Sequence, residues 1–219
     1  DHSVVKTDLA AVIDKIKCLA IDSLQRLWIG TWGEGLFTYD PATRKLERRL
    51  ASNGVDFSTE IMSLATDRLG NLWVGSFDLG LFRYRLRDDH VTRVTNPTPD
   101  PNAIDRIHAL HVDAGNNVWI GKDVGGLNFL KAGRTEYHPV LTSHLNAATT
   151  VTSICEIADD TVVWVGAPSI GLVAYHTRSK TSELFSETDG LSNSGIHSIV
   201  ADSLQRLWIS HNAGISAFD

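Results

Sequence analysis

Short apolar-rich stretches, several of them alternating apolar with polar residues, follow one another along the chain, and turn signals separate them. In residues 61–95 the stretches IMSLAT, LWVGS, LFRYRL and HVTRV are separated by DRLGN, FDLG and RDD. Stretches of this length and pattern predict β-strands, and the Asp, Gly and Asn residues between them suit tight turns. This segment therefore predicts four short antiparallel strands.

A tryptophan recurs with this pattern at spacings of 45, 46, 45 and 44 residues. The five positions are Trp28, Trp73, Trp119, Trp164 and Trp208. Each follows Leu or Val, and each precedes Ile or Val. Four strands in about 45 residues is the unit of a β-propeller blade. The sequence predicts an all-β fold, a single β-propeller domain over residues 1–219 with five four-stranded blades.

The two ends of the chain allow two interpretations of the ring. Residues 2–7 align with the fourth strand of a blade, whereas the fifth unit stops after its third strand. In a closed five-bladed ring, residues 2–7 would complete the last blade and remove its exposed edge. The alternative is a five-blade piece of a larger propeller. The complementary ends favour the closed ring.

Composition and motifs exclude several functions. The formal net charge is −6 with no run of Lys or Arg, so we expect no nucleic-acid partner. No apolar stretch approaches the roughly 20 residues of a membrane-spanning helix, so membrane attachment would need parts outside this sequence. The two cysteines lack zinc-ligand spacing, and no catalytic motif is present. We expect no metal, no cofactor and no enzymatic activity.

The repeat has the consensus D-x-x-G-x-L-W-I-G-T-x-x-G-G-L. The second unit matches it at seven positions: Asp67, Gly70, Leu72, Trp73, Gly75, Gly80 and Leu81. This pattern resembles the two-component regulator propeller repeat. Departures occur at Gln25 and Gln205, which replace the turn glycine, and at Ser210, which replaces the glycine after Trp-Ile.

The resemblance implies the periplasmic sensor region of hybrid histidine kinases or of some diguanylate cyclases. The expected function is non-enzymatic sensing of a small molecule, with saccharides a frequent suggestion for such repeats, or of a protein partner. The periplasmic location and the role in two-component signalling come from the resemblance alone.

Candidate binding residues lie where the repeats differ, because packing does not fix those positions. Turns between second and third strands, and loops leading into first strands, should share one face of the propeller. The candidate ligand-binding residues on that face are Lys15, Lys17, Trp32, Glu34, Glu60, Arg106, His108 and His197. Trp32 lies outside the tryptophan repeat and close to Glu34, an arrangement suited to stacking on a sugar ring or anchoring a partner.

Two other functions fit the same residues. One is a propeller enzyme, a lyase or hydrolase, with His108, His197 and Glu60 near the central channel. The other is a protein-interaction module that forms a homodimer. His108 and His111 stand three apart in one strand and so point to opposite faces, which makes them a poor metal-binding pair.

Overall fold

A computed structural model describes residues 15–57, 60–96, 105–157 and 161–218. Strands dominate these ranges, with a single turn of 3-10 helix at Glu187–Asp189. No helix in the described residues is long and apolar enough to cross a membrane.

The strands form five antiparallel sheets, each built from strands consecutive in the chain. The first two blades are β1 (Ile16–Ile21), β2 (Leu27–Thr31), β3 (Leu36–Asp40) and β4 (Lys45–Arg49), then β5 (Ile61–Thr66), β6 (Asn71–Ser76), β7 (Leu81–Arg85) and β8 (His90–Val94). The third and fourth blades are β9 (Ile107–Val112), β10 (Val118–Lys122), β11 (Leu127–Leu130) and β12 (His138–Pro139), then β13 (Ser153–Glu156), β14 (Val162–Ala167), β15 (Gly171–His176) and β16 (Thr181–Phe185). The fifth blade contains β17 (Ile196–Ala201), β18 (Leu207–His211) and β19 (Gly214–Phe218).

This arrangement confirms the predicted fold class, a five-bladed β-propeller. The four strands predicted within residues 61–95 are β5 to β8. Two blades depart from the common plan: β12 has only two residues, and the fifth sheet has three strands in the described part of the chain.

An aspartate and the repeated tryptophan fix the first hairpin of a blade. Asp22 accepts hydrogen bonds from the Trp28 indole at 2.9 Å and from the backbone amides of Leu24 and Arg26. The same indole bond is made by Asp67, Asp113 and Asp202. Gln25 takes the place of the consensus turn glycine by adopting a left-handed backbone with φ of 62°. The consensus Asp and Trp are therefore structural.

A glycine in the second strand sets the distance between successive blades. A Cβ added to Gly75 would lie 2.6 Å from Cγ2 of Ile107, which belongs to the next blade. Gly30 and Gly166 stand equally close to Ile61 and Ile196. Because these backbones approach the next blade's isoleucine so closely, a side chain at these positions would force the blades apart.

The core consists of the layers between blades, and among the described residues the outer faces of the first and fifth blades have no such layer. Leu64 is 9% exposed, whereas its equivalent in the first blade, Leu19, is 56% exposed. Trp28 is 1% exposed, whereas its equivalent in the fifth blade, Trp208, is 39% exposed. Both exposed faces carry further apolar side chains, among them Ile16 and Ile215.

This exposure bears on the two interpretations of the ring. In a closed five-bladed ring the first and fifth blades would bury these faces against each other, so the exposed faces are those expected of the open alternative. Residues 2–7 and the final residue, which would pair in the closed ring, lie outside the described residues.

The two cysteines do not form a disulfide. Cys18 packs against the cluster around Trp28, and Cys155 packs against the cluster around Ile196. Burial raises the pKa of the Cys18 thiol to about 12. Both cysteines therefore act as small packing residues rather than as nucleophiles.

Candidate functional site

Turns between second and third strands meet the segments that lead into first strands on one face of the propeller, as predicted. In four blades a backbone amide of the turn donates to a carbonyl of the incoming segment. The donor and acceptor pairs are Trp32 to Lys15, Phe77 to Glu60, Asp123 to Arg106 and Asn212 to Gly195. We call this side of the propeller the axial face.

A β-bulge at the start of the first strand directs one further side chain in each of four blades. The strand registers skip one residue per blade, at Lys17, Met62, His108 and His197. A bulge leaves its extra residue outside the regular pairing and re-aims its side chain. This explains why the sequence varies at these positions, two of which carry histidine and one lysine.

Across the first three blades the axial face carries a row of aromatic rings and cations. The rings of Trp32 and Phe77 lie 5.9 Å apart with their planes at 41°. The Lys17 ammonium lies 5.7 Å from the Trp32 ring, and the Arg106 guanidinium lies 4.5 Å from the Phe77 ring. Trp32 remains 39% exposed, so part of its surface is available to a ligand.

Asp123 lies close to two further members of this group, Arg106 and His108. Its carboxylate lies 3.1 Å from Nη1 of Arg106 and 4.0 Å from Nε2 of His108. Burial lowers the pKa of His108; Asp123 opposes this shift, and the nearby cations Lys17 and Arg106 add to it. Burial thus favours the neutral form of the His108 imidazole. We call Lys17, Trp32, Phe77, Arg106, His108 and Asp123 the axial cluster.

Two buried nitrogens of the axial cluster have no hydrogen-bond partner among the described residues. They are Nε of Arg106 and Nε2 of His108. Buried polar atoms in folded proteins are usually bonded, so unbonded ones deserve an explanation such as a ligand or a water molecule. Both atoms lie beside Asp123, at the edge of the aromatic row.

An ion pair between Lys122 and Asp105 lies next to the axial cluster. The buried Lys122 ammonium contacts the Asp105 carboxylate, which also accepts a hydrogen bond from the buried Tyr137 hydroxyl. Burial, together with the Asp105 charge, raises the pKa of Tyr137. Asp105 immediately precedes Arg106, so this pair holds the segment that presents the arginine.

The structure brings together some of the predicted site residues and not others. Lys17, Trp32, Arg106 and His108 share the cluster, and Glu60 lies beside it through an isolated backbone bridge to Trp32. His197 belongs to the fifth blade, where its ring pairs with Asn212 at 2.7 Å. Glu34 is exposed on the Trp32 turn, and Lys15 is exposed at the start of the first strand.

Phe77 and Asp123 were missed from the sequence. Both stand four residues after a repeated tryptophan, as Trp32 does. That shared position was the available signal. No group of three or more His, Cys, Asp or Glu residues in the described ranges could hold a metal ion.

The fold and its axial cluster define a class of protein: a β-propeller with a candidate binding face at its axis. Within that class, residues 57–78 match the family model described as two component regulator propeller. The resemblance noted from the repeat is thereby confirmed for this unit. No curated protein sequence matches the chain.

Solved structures support the fold. An extracellular domain of a hybrid two component system from B. thetaiotaomicron superposes with a TM-score of 0.81 at 21% identity, covering 98% of this chain and 28% of that one. PorZ, a surface component of the type-IX secretion system of Porphyromonas gingivalis, gives 0.77 at 18% identity, covering 99% and 34%. A streptogramin B lyase gives 0.69 at 12% identity, covering 93% and 68%.

At these identities the likeness shows the fold alone. The chain spans about a third or less of the two bacterial surface structures, 28% and 34% of their lengths.

Proposed function

We propose that this propeller is a non-enzymatic sensor that binds a small molecule on its axial face. In this proposal it belongs to the extracytoplasmic, periplasmic input region of a two-component signalling protein. The observation that carries the binding role is the pair of the exposed Trp32 and the partly buried Phe77, flanked by Lys17 and Arg106. The two component regulator propeller match and the similar extracellular domain support the signalling role.

The chemistry of the axial cluster favours a ring that carries acidic groups. An aromatic face can stack on the apolar side of a sugar or another ring. Lys17 and Arg106 supply positive charge at either end of the row, and Nε of Arg106 is a donor without a partner among the described residues. An acidic saccharide, such as a hexuronate, combines both features and is the first class to test.

The test is isothermal titration of the 219-residue chain with glucuronate and galacturonate, and with glucose and galactose as neutral counterparts. We expect the acidic sugars to bind and the Trp32→Ala variant to lose at least tenfold in affinity. Leu24→Ala is the matched control, because Leu24 is 71% exposed on the opposite hairpin end of the same blade. Equal affinities in both variants, or binding of no acidic sugar, would contradict the proposal.

An enzyme, a lyase or hydrolase, is the second candidate. It is favoured by the lowered pKa of His108, since a neutral imidazole can act as a general base. Yet His108 lies beside Asp123, with Nε2 4.0 Å from its carboxylate, while the His197 ring bonds to Asn212, so the two histidines belong to separate groups. Turnover of an axial ligand that His108→Ala abolishes would replace the sensor proposal. Loss of a homodimer on changing Trp32 would instead favour an interaction module.

A further inference from the structure

A cleft opens between the third and fourth blades, on the side away from the axial face. One wall is the cross-strand row Trp119, Phe129 and His138, and the other contains Glu156 and Tyr175. The cleft has a volume of about 610 Å³. At its inner end His111 meets Glu156 at 3.3 Å, and deeper in the wall the rings of Trp119 and Tyr175 lie 5.8 Å apart.

The equivalent space between the first and second blades is filled. Arg49 lies over the Trp28 ring at 5.9 Å and donates to Thr38 at 2.8 Å. Tyr84, which corresponds to Tyr175, is completely buried and its hydroxyl donates to Asp89 at 2.7 Å. Two side chains thus close that space and satisfy the tyrosine.

Both closing residues are replaced between the third and fourth blades. The strand pairing places Val140 where the first blade has Arg49, and a valine is too short to fill the space that the arginine occupies there. Lys180 stands where the second blade has Asp89, five residues after the tyrosine and in the same left-handed conformation, with φ of 58° against 52°. The two-residue β12 gives the cleft an open outer edge.

These replacements remove from this layer the carboxylate that Tyr84 has as its acceptor. Tyr175 is 7% exposed, and its hydroxyl bonds to no described residue. The position equivalent to Tyr175 is Leu130 in the third blade and Phe218 in the fifth blade, and neither side chain carries a hydroxyl. The Lys180 ammonium cannot accept the hydrogen bond that Asp89 accepts from Tyr84, so the Tyr175 hydroxyl proton and the ammonium are both donors at the edge of one cavity.

We propose that this inter-blade cleft binds a neutral saccharide ring. Phe129, which is partly exposed beside the 5% exposed Trp119, offers aromatic surface to the apolar face of a sugar, and the Tyr175 hydroxyl and Lys180 ammonium donate to its oxygens. Glu156 accepts from its hydroxyl groups. Asp113 and Glu156 both line the cleft against a single lysine, so a ligand with its own negative charge is disfavoured.

The cleft is independent of the axial cluster and does not rest on the sensor proposal. It is lined by the β9–β10 turn, which contains Gly115, and by the β15–β16 turn, which ends at Lys180. In an antiparallel blade both turns lie at the end opposite the axial face. A ligand in the cleft would therefore leave Trp32 untouched.

The experiment is fluorine NMR on the 219-residue chain labelled with 5-fluorotryptophan, which gives one resonance for each of its six tryptophans. Trp119→Phe and Trp32→Phe assign the two informative resonances. The probes are glucose, galactose, maltose and cellobiose at millimolar concentration, and glucuronate as the acidic counterpart. We expect at least one neutral sugar to shift the Trp119 resonance in a saturable manner while the Trp32 resonance stays in place.

Two variants test the assignment of the hydroxyl. Tyr175→Phe should weaken sugar binding roughly threefold to tenfold without lowering the melting temperature, because the lost hydroxyl bonds to none of the residues that the structure describes. Lys180→Asp should recreate the Tyr84–Asp89 bond, raise the melting temperature and weaken binding further.

Two results would overturn the proposal. One is a Trp119 resonance that no neutral sugar moves; the other is an affinity that both variants leave unchanged. A response confined to Trp32 and glucuronate would support the axial site and reject the cleft.

Discussion

Asp202 accepts a hydrogen bond from the indole of Trp208 at 3.0 Å, six residues further along the fifth blade. The first blade contains the same octapeptide, DSLQRLWI, and the same bond between Asp22 and Trp28. The two copies differ in their surroundings, since Trp28 is 1% exposed and Trp208 is 39% exposed. Identical sequence thus gives an identical hairpin but does not fix what packs against it.

Acid should remove the contribution of Asp202 to stability. The hydrogen bond from Trp208, with others from Arg206 and Leu204, lowers the pKa of this carboxyl from 3.8 to about 2. Because the folded-state pKa is depressed, this contribution is complete above about pH 4 and is lost as the pH falls towards 2. Melting temperatures of the wild type and Asp202→Asn should therefore differ at pH 6 and converge at pH 2. A gap that is constant with pH would contradict this account.

Equivalent leucines should differ in their contribution to folding. Leu64→Ala removes a 9% exposed side chain between blades and should lower the free energy of unfolding by about 2 to 4 kcal/mol. Leu19→Ala removes a 56% exposed side chain and should cost less than about 1 kcal/mol. Urea denaturation of both variants measures the difference. Equal losses would show that the outer face of the first blade is covered in solution.

Gly75→Ala should destabilise the chain by about 1 to 3 kcal/mol, because the new methyl group would press on Ile107 of the next blade. Ser210 occupies the equivalent position in the fifth blade, where the adjacent face is exposed. Ser210→Ala is the matched control and should change stability by less than about 0.5 kcal/mol. Thermal unfolding of the two variants tests the role of the glycine as a blade spacer, which a neutral Gly75→Ala would exclude.

Asp105→Ala should cost about 3 to 5 kcal/mol, because it leaves the buried Lys122 ammonium without its counter-ion and Tyr137 without its acceptor. The comparison is Asp56→Ala, which removes an exposed partner of Arg48 and should cost less than about 1 kcal/mol. Guanidinium unfolding curves give both values. Similar losses would mean that burial of Lys122 does not depend on Asp105.

The axial face shows how far sequence reasoning reaches into the candidate site. The repeat period aligned equivalent positions, so the polar variability at Lys17 and His108 pointed to the face on which the axial cluster lies. Phe77 was missed because its role depends on a ring contact with Trp32, which belongs to the preceding blade. Asp123 was missed because its role depends on the nearby Arg106 and His108, and the sequence does not show that these side chains lie close to it.

By itself the sequence determined the strand pattern, the period of about 45 residues and the fold class, because alternation, turn residues and the Asp–Trp hairpin are local and act within one blade. The tertiary structure decided what lies between blades. Whether a tryptophan is buried, as Trp73 is, or exposed, as Trp208 is, depends on the adjacent blade. Likewise, the cleft beside Tyr175 exists because Val140 and Lys180, on different blades, replace the arginine and aspartate that close the equivalent space between the first and second blades. Both features depend on contacts between residues far apart in the chain, so a local sequence pattern cannot predict them.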